Sequence, residues 1–166
     1  VLSSSHKITY KKGKISGCYR LQVGSKEMFL DLVELGMTPN KAKRMLLPDI
    51  PKKFISYFVR GYFDGDGNVW VGTVHKERAR PNLTIRVMFT SCSEELLRSL
   101  RQRLHSFGVR GGGIYRSKDN YCRLQFSVLD SLKLYKIMYN QGDSVLRHPL
   151  FLTRKKEVFE RYMGLS

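Results

Sequence analysis

The sequence predicts an α+β fold in which antiparallel hairpins alternate with helices. Three stretches each contain two short runs of β-branched and aromatic residues joined by a turn, the pattern of a hairpin. Helical stretches with capping residues separate these hairpins. Hydrophobic residues make up 42% of the 166 residues, enough to build a packed core in one domain or in two small fused halves.

The first hairpin and helix are predicted within the N-terminal quarter of the chain. Residues 8–10 and 18–23 are the strand-like runs, and a basic turn that contains glycine joins them. Ser25 is a helix-capping residue, and the apolar stripe that follows it ends at Gly36. Residues 38–41 predict the start of a further short helix.

A buried helix is predicted from about residue 52 to residue 64. Pro51 suits the first turn of a helix. Apolar side chains then surround much of the predicted helix, namely Phe54, Ile55, Tyr57, Phe58 and Val59. A helix of this kind belongs in the protein interior, and Gly61 would let another helix backbone approach closely.

The remaining elements repeat the same alternation. Residues 68–74 and 83–90 predict the second pair of strands, and Ser93 caps a helix that Gly108 ends. A third hairpin and two final helices are predicted at residues 114–128, 130–139 and 153–163.

A short repeat indicates duplication. Residues 20–23, Arg-Leu-Gln-Val, and residues 123–126, Arg-Leu-Gln-Phe, each end a hairpin and lead into an amphipathic helix. Four matching positions alone are open to chance, but their shared context favours duplication. On this interpretation the first copy has lost its opening helix, its first hairpin and its middle helix.

The charge and the cysteines narrow the class of protein. Thirty Lys and Arg against 14 Asp and Glu give a net charge of +16, so nucleic acid is the first partner to expect, with a basic ribosome-associated surface as the alternative. Three distant cysteines without a Cys-x-x-Cys pair favour a reducing intracellular location, cytoplasmic or organellar. No apolar run approaches the length of a membrane span, so no membrane partner is expected.

The predicted buried helix ends in two acids set among glycines, Asp64-Gly65-Asp66-Gly67. Mg²⁺ prefers oxygen ligands, and phosphates supply several of them, so a magnesium site needs few protein carboxylates. Acids at a helix C-terminus cost stability unless a cation or a capping role compensates. Asp66 is the better candidate ligand, and a tight turn into a strand is the structural alternative.

Residues 59–67, Val-Arg-Gly-Tyr-Phe-Asp-Gly-Asp-Gly, resemble the nine-residue signature of the LAGLIDADG homing endonucleases. The order of elements from residue 52 to residue 163 also resembles one half-domain of that family, and residues 7–47 resemble the tail of a preceding one. We therefore expect residues 1–47 to be the C-terminal portion of a first half-domain and residues 48–166 to be a complete second one.

The resemblance implies both a fold and an activity. Helices are expected on one face of an antiparallel sheet whose other face meets the major groove of double-stranded DNA. The implied function is a site-specific endonuclease that makes metal-dependent double-strand breaks by phosphodiester hydrolysis, with Mg²⁺ as the divalent metal. A DNA- or RNA-binding regulator or maturase of the same fold, without nuclease activity, is the alternative. The host element, an intron, an intein or a free-standing gene, stays open.

Site residues follow from the same resemblance. The last acid of the signature, Asp66, is implied as the catalytic metal ligand, and Asp64 is implied as its support at the helix end. Gly61 and Gly65 are implied to contact a second signature helix. Only one signature is present, so the second half-domain would lie in a missing N-terminal segment or come from another chain.

Two lysines and six strand residues complete the expected site. Residues 149–156 resemble the family segment that delivers a catalytic lysine, placed at Lys155 with Arg154 and Lys156 as register alternatives, and Lys41 is its counterpart in the first half. Long polar side chains at alternating strand positions are expected to contact DNA, because Arg and Gln suit guanine and adenine edges. These are Arg20, Gln22, Arg86, Arg116, Arg123 and Gln125. A merely soluble outer face is the alternative.

Overall fold

The computed structural model describes residues 5–13, 16–37, 41–140 and 150–165. Contacts divide the chain into two compact units, Val1–Thr38 and Pro39–Ser166. The division into half-domains between residues 47 and 48 stays a prediction.

The first unit contains a hairpin and one helix. Strand β1 (Thr9–Lys12) pairs antiparallel with β2 (Gly17–Arg20), with Thr9 opposite Arg20. Helix α1 (Lys26–Glu34) begins where the Ser25 hydroxyl accepts a hydrogen bond from the Met28 N–H at 3.1 Å. The second strand ends at Arg20, earlier than the run 18–23 predicted, because the paired partner strand begins at Thr9.

The second unit opens with two short 3-10 turns and continues through alternating helices and strands. The turns are Lys41–Lys43 and Lys52–Phe54. The elements that follow are α2 (Ile55–Asp66), β3 (Gly67–Val74), β4 (Asn82–Ser91), α3 (Glu94–His105), β5 (Gly113–Arg116), β6 (Cys122–Phe126), α4 (Val128–Tyr139) and α5 (Thr153–Met163).

Four antiparallel strands form the sheet of the second unit, in the order β3-β4-β6-β5. Alternate residues of β4 and β6 are buried, among them Val87, Phe89 and Leu124, whereas their neighbours on the other face are open to solvent or only half-buried. The helices contribute their own buried side chains to the same core. This arrangement confirms the predicted α+β fold with helices on one face of an antiparallel sheet.

Aromatic side chains connect the helices to the sheet. Phe63 of α2 lies 6.0 Å from Phe89 of β4 and 5.9 Å from Phe159 of α5, measured between ring centroids. Phe89 in turn meets Phe126 of β6 edge-on at 6.3 Å. All four rings are fully buried, so the last turns of α2 are anchored in the centre of the core.

Helix α2 passes directly into β3 without an intervening loop, since Asp66 is the last helical residue and Gly67 the first of the strand. The Asp-Gly-Asp-Gly segment is therefore a helix end and not the tight turn considered as an alternative. Gly67 is required here, because a Cβ at this position would lie only 2.5 Å from the Phe63 ring and carbonyl oxygen.

In the four ranges that the structure describes, no helix is both long enough and apolar enough to cross a membrane.

Candidate active site and nucleic-acid interface

Asp64 and Asp66 lie in the last turn of α2 and have different surroundings. The Oδ2 atom of Asp64 accepts a hydrogen bond from the Leu152 N–H at 3.0 Å, at the start of α5. The other oxygen, Oδ1, is buried and has no hydrogen-bond partner among the described residues. Asp66 is exposed, and no described residue donates a hydrogen bond to its carboxylate. Asp64 therefore faces the protein, and Asp66 is available to a ligand.

Lys155 is buried, with 7% of its surface exposed, and it caps the end of α2. Its Nζ donates to the carbonyl oxygens of Phe63 at 2.5 Å, Asp64 at 2.9 Å and Gly67 at 2.7 Å. An ammonium group has three N–H donors, and these three carbonyls use all of them. Burial lowers the pKa of Lys155, while the nearby carboxylate of Asp64 opposes that shift.

Asp64 and Lys155 form a reciprocal pair of caps between two helices. The carboxylate of Asp64 lies at the N-terminal end of α5, and the ammonium of Lys155 lies at the C-terminal end of α2. Each charge is the one that the helix dipole favours at that end. Together the two side chains join the start of α5 to the turn that carries Asp66.

The catalytic role assigned to Lys155 stays a prediction, and so do its alternatives. Arg154 is exposed beside it. Lys156 forms an ion pair with Glu160 on the same helix. The side chain of Lys41, the expected counterpart in the first half, lies outside the described residues.

One side of α2 is exposed and carries both signature glycines. Tyr57, Gly61 and Gly65 recur at helical spacing along this side and continue the line of Phe54, the residue just before α2; we call these four residues the α2 stripe. A Cβ added at Gly61 or Gly65 would meet nothing within 4 Å. The close helix contact predicted for these glycines is therefore not made within the described part of this chain, and the α2 stripe leaves room for it.

Three of the six predicted DNA-contacting residues share the outer face of the four-stranded sheet. Arg86 lies next to buried Val87 on β4, while Arg123 and Gln125 flank buried Leu124 on β6. Because alternate residues of a strand point to opposite faces, the three polar side chains lie opposite the helices.

Arg116 does not share this face. It pairs with Cys122, a buried residue on the helix side of the sheet, and its guanidinium forms an ion pair of 2.9 Å with Glu94 at the start of α3. Arg116, followed by Arg98, holds the pKa of the Glu94 carboxyl below its ordinary value. The alternation predicted for Arg116 is wrong, because Tyr115 takes the outer position opposite Arg123.

Arg20 and Gln22 belong to the first unit. Arg20 is the last residue of β2, exposed and opposite Thr9. Gln22 is exposed but lies two residues beyond the end of β2, so its predicted strand position is wrong. Their contacts to DNA stay predictions.

Two aromatic residues of the second unit lie beside arginines of the candidate interface and were not predicted from the sequence. The ring of Trp70 lies 5.5 Å from the guanidinium carbon of Arg86. The ring of Tyr121 lies 5.1 Å from the guanidinium carbon of Arg123. The Tyr121 hydroxyl also accepts a hydrogen bond from Arg123 at 2.8 Å. The sequence contained a signal for Trp70, because alternation with Val69 and Val71, which face the core, leaves Trp70 on the outer face.

Comparisons with known proteins show what this chain is similar to. A probable translation initiation factor IF-2 of Thermococcus kodakarensis is 36% identical over 100 residues, 58% of this chain, and the match spans 8% of that protein. The homing endonuclease I-TnaI is similar with a TM-score of 0.48 and 15% identity, over 72% of this chain and 71% of that one. The archaeal intron-encoded homing endonuclease I-Vdi141I, complexed with DNA, has a TM-score of 0.46 and 15% identity, over 58% and 60%.

The family model described as the LAGLIDADG-like domain matches residues 53–140, more than half of the chain. The matched segment includes the signature helix α2 and the whole four-stranded sheet. The chain therefore belongs to the LAGLIDADG family.

Proposed function

We propose that this chain is part of a site-specific homing endonuclease that makes metal-dependent double-strand breaks in DNA by phosphodiester hydrolysis. The observation that carries the proposal is the junction of α2 and β3. The exposed carboxylate of Asp66 lies directly before the strand that leads into the Arg- and Gln-bearing face of the sheet. A potential metal ligand and a potential DNA-binding surface are thus adjacent in one unit.

The residues at this junction fit a divalent metal only as part of a shared site. Among the described residues, no group of three His, Cys, Asp or Glu is placed to hold a metal ion. The exposed carboxylate of Asp66 would hold Mg²⁺ together with phosphate oxygens and a second carboxylate from elsewhere. A bound divalent cation would lower the pKa of a water molecule and offset charge on the phosphate.

The chain's own contribution to such a reaction is to orient Asp66 and to bind DNA. Lys155 and Asp64 fix the backbone of the last turn of α2 from the protein side, so the point from which the Asp66 side chain extends is set before substrate binds. The net charge of +16 attracts the phosphate backbone independently of sequence.

The α2 stripe is the proposed contact for the second half-domain. Its two glycines leave open space beside the helix, and Phe54 and Tyr57 are exposed beside them with 49% and 37% of their surface accessible. A second signature helix, from a longer form of this protein or from another chain, would cover these aromatic rings and bring a second carboxylate close to Asp66.

Gly61→Ala is expected to separate stability from association. Within the isolated chain the new methyl group meets no neighbour, and replacing a helical glycine by alanine contributes about 0.5–1 kcal/mol of stability. In the paired protein the same methyl would obstruct the helix contact. Thermal denaturation and sedimentation of the isolated chain and of the paired protein would measure the two effects.

Gly67→Ala is the matched control for that experiment, because its Cβ would collide with Phe63. It should lower stability by about 1–3 kcal/mol through overpacking. Unchanged pairing in Gly61→Ala would argue against the α2 stripe as the interface.

The proposed activity is tested by incubating the protein with a randomised duplex DNA library, with Mg²⁺ or with EDTA, and recording oligomeric state on the same sample. Sequence-specific nicks or breaks that need Mg²⁺ would support the endonuclease. Specific binding without cutting, in a sample in which two half-domains are paired, would favour the regulator. Preferential binding of a structured RNA would favour the maturase.

The similarity to a segment that makes up 8% of a probable initiation factor supports a further part of the proposal, that this domain is carried within a longer protein. A reducing intracellular location, cytoplasmic or organellar, is also proposed, because all three cysteines are free thiols.

A further inference from the structure

Polar side chains on the outer face of the sheet lie in a regular order set by strand register. Arg86 of β4 is the first of these polar side chains. Two residues further along that strand is Met88, directly opposite Gln125 of β6. Two residues beyond that is Thr90, directly opposite Arg123. Gln125 is therefore midway between the two arginines along the strand direction.

The spacing of these three side chains matches the spacing of base pairs. Residues of an antiparallel strand advance about 3.4 Å each, so Arg86 and Arg123 are separated by four residues, or roughly 14 Å, along the strands. The bases of one DNA strand are also spaced by about 3.4 Å. The two arginines are thus about four base pairs apart for strands that follow the major groove, with Gln125 about two base pairs from each.

Each arginine is held in place by a neighbouring aromatic ring before any ligand binds. Arg86 lies over Trp70 at 5.5 Å, and Arg123 lies over Tyr121 at 5.1 Å while donating a hydrogen bond to its hydroxyl. No carboxylate in the described part of the chain forms an ion pair with either guanidinium. Their remaining N–H donors are available, and the loss of side-chain freedom on binding is reduced.

The chemistry of these side chains identifies the bases that they fit. A guanidinium donates two parallel hydrogen bonds to the O6 and N7 atoms of guanine, and a glutamine amide pairs with the N6 and N7 atoms of adenine. We infer that this sheet reads two guanines about four base pairs apart with an adenine between them, Arg86 and Arg123 contacting the guanines and Gln125 the adenine. The inference rests on the proposed recognition of double-stranded DNA and names the bases in that target.

The test is selection of bound duplexes from a randomised library in EDTA, so that recognition is measured without cleavage. The protein is expected to enrich a motif with two guanines three to five base pairs apart and an adenine near their midpoint. Arg86→Gln is expected to change the preferred base at one guanine position to adenine, and Arg123→Gln to do so at the other. Each change should alter the preference by roughly 5- to 150-fold.

A change of preferred base cannot arise from loss of folding, so these variants stay informative even if affinity falls. Arg98→Gln is the matched control, because Arg98 lies on α3, on the helix side of the sheet, and its loss changes the net charge equally. It should weaken binding to all sequences alike and leave the motif unchanged.

The outcomes distinguish this inference from the proposed function. An enriched motif without the spaced guanines, or one that both glutamine variants leave unaltered, would overturn the inference and leave the endonuclease proposal standing. Absence of any enriched motif would overturn both the inference and the sequence-specific DNA recognition in the proposed function. Retained motif selection without Mg²⁺-dependent cutting would overturn the nuclease proposal alone.

Discussion

Asp66→Asn is expected to abolish Mg²⁺-dependent cleavage while leaving both the fold and DNA binding intact. Removal of the anionic oxygen takes away the only exposed carboxylate in the last turn of α2. Metal assistance is worth several kcal/mol in the transition state, and each 1.36 kcal/mol is tenfold in rate, so we expect a loss of about 1,000-fold or more. Single-turnover cleavage of a selected duplex, with binding measured in EDTA, would record both effects.

The same variant controls for contaminating nucleases, whose activity would survive the substitution. Because Asp66 is exposed and no described residue donates a hydrogen bond to it, the unfolding free energy should change by no more than about 0.5 kcal/mol. Undiminished cleavage by Asp66→Asn would show that the metal ligand lies elsewhere.

Lys155→Met is expected to destabilise the protein and to disorder the end of α2. The substitution keeps the length of the side chain but leaves the carbonyls of Phe63, Asp64 and Gly67 without their donor. Hydrogen bonds from a charged donor contribute about 1.5–3 kcal/mol each, and relief of the buried charge offsets part of that loss. We expect a net loss of roughly 2–4 kcal/mol, which lowers the melting temperature by about 5–15 °C.

Arg154→Met is the matched control, since it removes the same charge from the adjacent, exposed position. Its effect on stability should stay within about 0.5 kcal/mol. Hydrogen exchange of the Asp66 and Gly67 amides would locate the damage, with faster exchange expected only in Lys155→Met. Equal stability of the two variants would show that the three carbonyl contacts contribute little.

The order of helices and strands was predictable from sequence because the capping residues and the spacing of apolar residues are local signals. Ser25 and Ser93 both cap helices as predicted, each accepting a hydrogen bond from an N–H three residues later. The extent of α2 was less predictable. Its last turn contains one glycine and two acids, which disfavour helix, and it is held by Lys155, 91 positions further along the chain from Asp64.

The candidate site was predictable in its acids and less so in its basic residues. Asp64 and Asp66 stand out because acids at a helix C-terminus need compensation, and the structure shows the capping contacts of Asp64. The opposite face taken by Arg116 follows from the register of β5 against β6, a non-local property. The contacts of Lys155 likewise depend on how α5 packs against α2, which its neighbours in sequence do not reveal.

Strand alternation also separates what this domain must preserve from what it is free to change. Val87 and Leu124 face the core, whereas Arg86, Arg123 and Gln125 face outward. Replacing an outward side chain opens no cavity in the core, so on the proposed recognition of DNA a single substitution would change the contacted bases at little thermodynamic cost. On the same proposal, the target sequence would change through substitutions on this outer face while the junction that carries Asp66 stays intact.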